Sequence, residues 1–436
     1  MQIIQHKNNL IKQQTIQNGI KYRYSKYCLI NKKDNYRAIY NFINDCTIII
    51  DTKKVTKDIK SFLIKNWFLV PEDFNEFELA KQLKEQRISN KKDIKIKNLT
   101  TFTILPTTDC NANCAYCFEV GHRKLKMTPK IANDVAEYIY KNKGNNEVKL
   151  RWFGGEPLYN QEAIDIICTK LRELNITYSG AMTSNGYLVD IENIKKYKDL
   201  WKLKTIQITI DGVDDVYNNV KNYTNTDDEN PFNTVINNIK ELIKTNIRVT
   251  VRLNVTDNNL NDLKDVVDYM YLTFRNKVLI YCTPIYQLCK DENTTVFENY
   301  DKLYLYINKK YKYTPKLKKF IKQGTSCMVN NGHSVVINPL GNISLCEHDI
   351  DRRIIGNIYD GIDENAEYIQ KYREYLYLED KCANCKLYPG CLKTPLCEGD
   401  GFCNDLKVNM NIKNYKRALN YNLNKFIKEQ NKKEEQ

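Results

Sequence analysis

At 436 residues the chain is long enough for two or three domains, and with 42 % hydrophobic and 11 % aromatic residues it can fill a core in each. No stretch approaches the roughly 18 consecutive apolar residues of a membrane span, and the first residues lack the apolar centre of a signal peptide, so a cytoplasmic protein with no membrane partner is expected. The formal charge of +14 invites an acidic partner, but the lysines are dispersed and no aromatic-basic reading module is present, so nucleic acid is not the expected one.

Residues 1–100, with "YNFINDCTIIID" and "FLIKNWFLVPEDFNEF", read as a short hairpin followed by helices and carry no catalytic constellation. Between 101 and 310, β-branched and aromatic runs at 101–108, 148–155, 177–186, 205–212, 248–255 and 278–285 alternate with stretches of helical period. Thr128 before Pro129 suits a helix N-cap with proline at the first helical position. Six βα units with short connections predict an α/β fold, a partial (β/α)6 TIM-like barrel. Residues 320–410 turn to short strands, glycines and clustered cysteines. Residues 411–436 read as a basic helix, either solvated or a contact for nucleic acid or an acidic peptide.

Parallel barrels collect their functional groups at the C-terminal ends of strands. Here those ends carry "CNANCAYC", "GGEP", "TSNG", "DG" and "RLN". Fifteen cysteines in a reducing compartment point to metal or cluster ligands rather than disulfides. Cys110, Cys114 and Cys117 can wrap three corners of a four-iron cluster and leave one iron open. A zinc ion with His122 as fourth ligand and cysteines without metal are the alternatives. Seven more cysteines follow at 327, 346, 382, 385, 391, 397 and 403, and a zinc ribbon could use four of them. Cys28, Cys46 and Cys168 are expected in cores, while Cys282 or Cys289 could supply a missing ligand.

The Cys-x3-Cys-x-aromatic-Cys run at Cys110, Cys114 and Cys117 resembles the signature of the radical S-adenosylmethionine (radical SAM) enzymes. The resemblance implies a [4Fe–4S] cluster that binds S-adenosyl-L-methionine and generates a 5′-deoxyadenosyl radical. It implies that Gly154, Gly155, Glu156 and Pro157 meet the methionine amino group, with Glu156 accepting from the ammonium. Ser184 and Asn185 would meet the ribose or carboxylate, and Arg252 would pair with the carboxylate as a charged fork. Asp211 is expected either near the substrate or as a turn residue.

The later cysteines resemble the SPASM extension of peptide-modifying relatives, which implies one or two auxiliary [4Fe–4S] clusters. Carried over, Cys382, Cys385, Cys391 and Cys403 close one cluster, while Cys327, Cys346 and Cys397 hold another. Five residues separate Cys391 from Cys397 where the extension usually has three, so the assignment of Cys397 and Cys403 stays open. Glu347 stands where sulfatase-maturing relatives carry an aspartate base. Residues 1–100 look like the leading, peptide-positioning region of peptide maturases.

The expected domains are therefore 1–100, a radical SAM barrel at 101–310, a SPASM-like domain at 320–410 and the basic tail. The expected function is a maturase that modifies a precursor peptide or protein, forming a thioether or other cross-link, with a flavodoxin or ferredoxin as electron donor. Oxidation of Ser or Cys to formylglycine is the alternative within this chemistry. A nucleic-acid-modifying enzyme or a zinc-stapled binding protein are those outside it.

Overall fold

The computed structural model describes residues 1–5, 11–92, 94–145, 147–224, 226–285, 287–291, 293–313, 327–349, 351–376, 378–391, 393–394, 396–397 and 403–434. The first residues of the expected 320–410 domain thus lie outside the described residues. The chain divides into two compact units, one built from residues 94–313 and 327–370, the other chiefly from 1–93 and 371–436. No helix among the described residues is long and apolar enough to cross a membrane.

In the first unit the six expected strands form as β1 (Thr101–Ile104), β2 (Val148–Trp152), β3 (Tyr178–Ser184), β4 (Leu203–Thr209), β5 (Arg248–Val255) and β6 (Leu279–Pro284). Each pairs in parallel with the next. Helices α1 (Pro129–Asn142), α2 (Gln161–Glu173), α3 (Pro231–Lys244) and α4 (Leu260–Phe274) occupy the crossovers, and α5 (Val296–Tyr311) follows β6. Beyond β1 the sheet continues through β7 (Ser334–Ile337), parallel to β1, and β8 (Asn342–Ser344), antiparallel to β7. At the other edge it stops at β6, which makes the barrel a partial one.

Strand alternation decides which side chains reach the site. In β2, Val148, Leu150 and Trp152 are buried while Lys149 and Arg151 are exposed. Ile206 and Ile208 of β4 and Val249, Val251 and Leu253 of β5 are likewise buried. Burying each such aliphatic side chain contributes about 1.5–3 kcal/mol. The helices supply the opposing stripes: Val135, Ala136 and Ile139 of α1 and Val235, Ile236, Ile239 and Leu242 of α3 are buried. The Thr128 hydroxyl caps α1 by accepting from the Ile131 N–H, and Asn230 caps α3 through the Asn233 N–H. Strand β1 ends earlier than expected. Leu105 N still reaches Ile337 O at 2.9 Å, but Pro106 has no N–H to continue a ladder, and the chain leaves the sheet to form the cysteine loop.

The second unit centres on an antiparallel sheet with strand order Gln2–Gln5, Cys46–Asp51, Tyr36–Asn41, Cys28–Lys33. One core joins Cys28, Ile39, Cys46, Ile48 and Ile50 to Leu63 and Phe68. A second core joins Tyr27, Leu29, Tyr40 and Ile49 to Leu387, Tyr388, Tyr415, Leu419 and Leu423. The last three lie on the helix Asp405–Glu434 at positions i, i+4 and i+8, one face of an α-helix. Tyr40 stacks on Tyr415 with centroids 5.0 Å apart. The C-terminal helix is therefore solvated on one side only, and residues 1–93 share a core with it and with the second cysteine run.

Candidate active site

The cysteine loop leaves β1 under tight local control. Thr107 accepts from the Asp109 N–H through its hydroxyl at 2.9 Å and donates to Leu125 O at 2.7 Å. Cys110, Cys114 and Cys117 then line one pocket of about 170 Å³ together with Gly154, Gly155, Ser184, Asn185, Arg252 and Asn254. The two glycines are there because backbone approaches backbone. A Cβ on Gly154, whose φ is +119°, would sit 2.2 Å from Thr107 O, and one on Gly155 would sit 2.3 Å from Asp109 O. Burial pushes the Cys110 thiol up to about 12, aided by the Glu156 charge. Cys114 and Cys117 are also raised, by burial first. A bound metal centre would hold these thiols as thiolates, its positive charge taking the proton's place.

Behind the loop lies a buried ion pair. Lys221 Nζ is 2.8 Å from Asp211 Oδ2, with side chains 3 % and 1 % exposed, and 3.1 Å from the Tyr116 hydroxyl. The Tyr116 hydroxyl donates to the same Asp211 oxygen. Burial works against the Lys221 charge, but Asp211, Tyr116 and Cys114 together hold its pKa well above the ordinary lysine value. The backbone around Lys221 also clamps the loop. Lys221 O accepts from Asn113 N at 3.0 Å, and Thr224 N donates to Asn111 O at 2.8 Å. Cys114 Sγ lies 3.9 Å from Lys221 O.

The donor set suits an iron–sulfur cluster with a chelating ligand. Ala112 N points at Cys110 Sγ from 3.4 Å and Asn185 Nδ2 from 3.9 Å, the kind of contact that stabilises cluster sulfur. Asn111 Nδ2 is buried without a partner among the described residues. No three His, Cys, Asp or Glu side chains among the described residues converge on a point that a single ion could occupy. Cluster thiolates sit on separate irons and spread more widely than the ligands of one zinc ion.

The second cysteine run also gathers on one cavity. Cys382, Cys385, Cys391 and Cys403 line one cavity of about 530 Å³ with Lys381, Lys386, Lys393 and Lys407, and Cys397 is not in its wall. Burial lifts the Cys385 thiol to about 11, with Cys391, Cys403 and Cys382 adding to it. Cys327 and Cys346 belong to the first unit. There Cys346 is raised by burial, then by Glu347, with Cys327 near enough to contribute.

Several residues sit differently from their expected places. Glu156 is fully buried behind the pocket wall: Oε1 accepts from the Leu158 N–H at 3.0 Å and the Ser184 hydroxyl at 2.8 Å, and Oε2 from the Asn185 N–H at 2.6 Å. It ties "GGEP" to "TSNG", and burial raises its carboxyl to about 7 against those hydrogen bonds. Pro157 begins a short buried 3-10 turn and is absent from the wall. Asp211 is engaged by Lys221 and Tyr116. Glu347 lines a neighbouring cavity with Arg252 and Arg151. His122 is held by Asp351, Nδ1 to Oδ2 at 3.1 Å. Cys28, Cys46 and Cys168 are buried as expected, and so are Cys282 and Cys289. Lys221, Asn111, Asn254 and Glu119 went unnoticed in the sequence. Glu119 joins the pocket wall with both carboxylate oxygens buried and without partners among the described residues. Burial, with Asp351 nearby, lifts its carboxyl to about 8.

A parallel open barrel with a three-cysteine loop at the end of its first strand defines the class, and the chain carries a radical S-adenosylmethionine superfamily domain. Residues 104–270 match the radical SAM superfamily. The radical SAM cyclopropyl synthase TigE of Paramaledivibacter caminithermalis is 24% identical over 412 residues, 86% of this chain and 82% of that protein. A probable GTP 3′,8-cyclase of Methanococcus aeolicus is 27% identical over 278 residues, 62% of this chain and 86% of that protein. Among solved structures, anSMEcpe with bound AdoMet and the Cp18Cys peptide superposes with a TM-score of 0.54 at 16% identity, covering 76% of this chain and 99% of that one. Streptococcus suis SuiB bound to the precursor peptide SuiA gives 0.51 at 14% identity, covering 85% and 94%. These two likenesses establish the fold.

Proposed function

We propose that the protein is a radical SAM peptide maturase with an auxiliary iron–sulfur cluster, acting in a reducing cytoplasm. The observation that carries the reading is the convergence of Cys382, Cys385, Cys391 and Cys403 on one cavity, within a unit that also holds the N-terminal sheet and the C-terminal helix. That arrangement supports a SPASM-like domain spread over both ends of the chain. The peptides bound in the anSMEcpe and SuiB structures favour a peptide over a nucleotide.

In this reading Cys110, Cys114 and Cys117 hold the first cluster. The Gly154–Gly155 backbone, Ser184, Asn185 and Arg252 receive S-adenosylmethionine. Arg252 offers a guanidinium fork, held in place by Nε donation to Asn254 Oδ1 at 2.9 Å. When bound, the two cofactors together supply a 5′-deoxyadenosyl radical that removes a hydrogen atom from the substrate. Phe153 and Phe118, with ring centroids 6.2 Å apart, give that pocket an apolar side that limits water. Glu347, across the shared wall, would take the proton lost as a substrate radical gives up its electron to an auxiliary cluster. Asp211 and Lys221 fix the cluster loop and do not exchange protons with substrate. Cys327 and Cys346, both in the first unit, are ligands of a second auxiliary cluster, and a flavodoxin or ferredoxin supplies electrons.

Anaerobic co-expression with a neighbouring short open reading frame, followed by mass spectrometry of the peptide, tests the reading. A mass change that requires Cys110 supports it. An unmodified peptide alongside vigorous S-adenosylmethionine cleavage overturns it. Formylglycine formation on a sulfatase-motif peptide would move the assignment to the alternative.

A further inference from the structure

A second cavity of about 350 Å³ opens on the concave face of the barrel and shares Phe153, Thr183 and Arg252 with the cofactor pocket. A reactive carbon held here would therefore lie beside the place where hydrogen abstraction starts. Beside Trp152, Ala181 and Met182 its wall carries polar groups where a barrel interior is ordinarily aliphatic: Thr103, Thr205, Gln207 and Thr250 from three strands, with Arg151 and Glu347. Thr103 is 3% exposed, and its hydroxyl has no partner among the described residues.

Arg151 is the informative group. It stands on the exposed side of β2, and its cross-strand neighbours are Thr103 on β1 and Ala181 on β3. Neither carries a carboxylate. Among the described residues Arg151 makes no ion pair or hydrogen bond, whereas Arg252 is already oriented by Asn254. A guanidinium that faces a polar cavity and pairs with no carboxylate among the described residues, Glu347 on the same wall included, is free to receive an anion, and its planar fork matches a carboxylate in a bidentate pair. Glu347 on the same wall repels a polyanion, so the occupant carries a single negative group near Arg151 rather than a chain of phosphates.

We propose that this cavity seats the reacting segment of the substrate and that Arg151 binds a carboxylate of that segment. The peptide source of that carboxylate rests on the reading above. It is either an Asp or Glu side chain close to the modified residue or the free C-terminus of the peptide. The volume admits a stretch of one or two residues, so the anchor and the modified carbon lie close together in sequence.

Ligand-observed saturation-transfer NMR on the anaerobically reconstituted full chain, saturated with S-adenosylmethionine, tests this. The probes are glutarate, Ac-Gly-Glu-Gly-NH2, Ac-Gly-Gly-Gly-OH, Ac-Gly-Gln-Gly-NH2 and GTP. Transfer to glutarate and to at least one carboxylate peptide is expected, with the glutamine peptide silent. Which peptide responds tells side chain from C-terminus. Arg151→Gln, checked for fold by circular dichroism and iron content, should weaken the signal at least about tenfold, and Arg151→Lys should restore part of it. Glutarate binding without either carboxylate peptide would keep Arg151 as a carboxylate site and sink the peptide source. Equal transfer to the glutamine peptide, no transfer to any carboxylate probe, indifference to Arg151→Gln, or displacement of glutarate by GTP would each overturn the proposal.

Discussion

The two cysteine-rich regions use one residue type under opposite structural regimes. Cys110, Cys114 and Cys117 sit within eight residues, on a loop gripped by local hydrogen bonds, two glycines and a buried ion pair. Cys382, Cys385, Cys391 and Cys403 are more widely spaced, and the core around them is closed by a helix and a sheet from the two ends of the chain. The first region is preorganised by chemistry next to it in space. The second depends on long-range packing, so damage at a distance should reach it sooner.

The largest expected effect comes from Cys110→Ala. It removes one of the three cysteines of the pocket wall, and 5′-deoxyadenosine formation should fall below detection by chromatography. Next is Gly155→Ala. The added methyl group meets Asp109 O at 2.3 Å, so the cysteine loop must shift, and a misplacement of this kind costs about 100-fold in S-adenosylmethionine cleavage. Lys221→Met should lower unfolding stability by about 3–5 kcal/mol, because Asp211 is left buried without its cation. It should also make the first cluster harder to reduce, since a positive charge beside Cys114 favours the more negative, reduced state. Potentiometric titration followed by electron paramagnetic resonance reads that shift, and Lys221→Arg should largely reverse it. The smallest effect on the first region should come from Leu419→Ala in the C-terminal helix. It costs about 2–5 kcal/mol in its own unit and should lower auxiliary iron while leaving S-adenosylmethionine cleavage intact. Loss of that cleavage in Leu419→Ala would break the contrast between the regions.

How much was legible follows the same division. The six strands and the Thr128 cap could be read because alternation and capping are properties of a few neighbouring residues. That the first three cysteines gather on one pocket could be read because they are close in sequence. Glu156 looked like a ligand for an ammonium, yet three donors from later in the chain fold over it. Asp211 looked like a catalytic or turn residue, and its partner Lys221 shows no sign in the sequence of being buried. The stripe Tyr415, Leu419 and Leu423 is diluted among lysines and asparagines, so the terminal helix looked solvated. The irregular spacing leaves Cys397 and Cys403 interchangeable in the sequence, and only the three-dimensional arrangement shows that Cys403 lines the cavity of Cys382, Cys385 and Cys391.

Iron and 5′-deoxyadenosine measured side by side in the wild type, Cys114→Ala and Cys385→Ala test the central claim most directly. Each variant should lose about four irons per chain, the content of one cubane, but only Cys114→Ala should lose 5′-deoxyadenosine. Equal iron in Cys385→Ala and the wild type, or loss of 5′-deoxyadenosine in a folded Cys385→Ala protein, would contradict a division of labour between two separately held clusters.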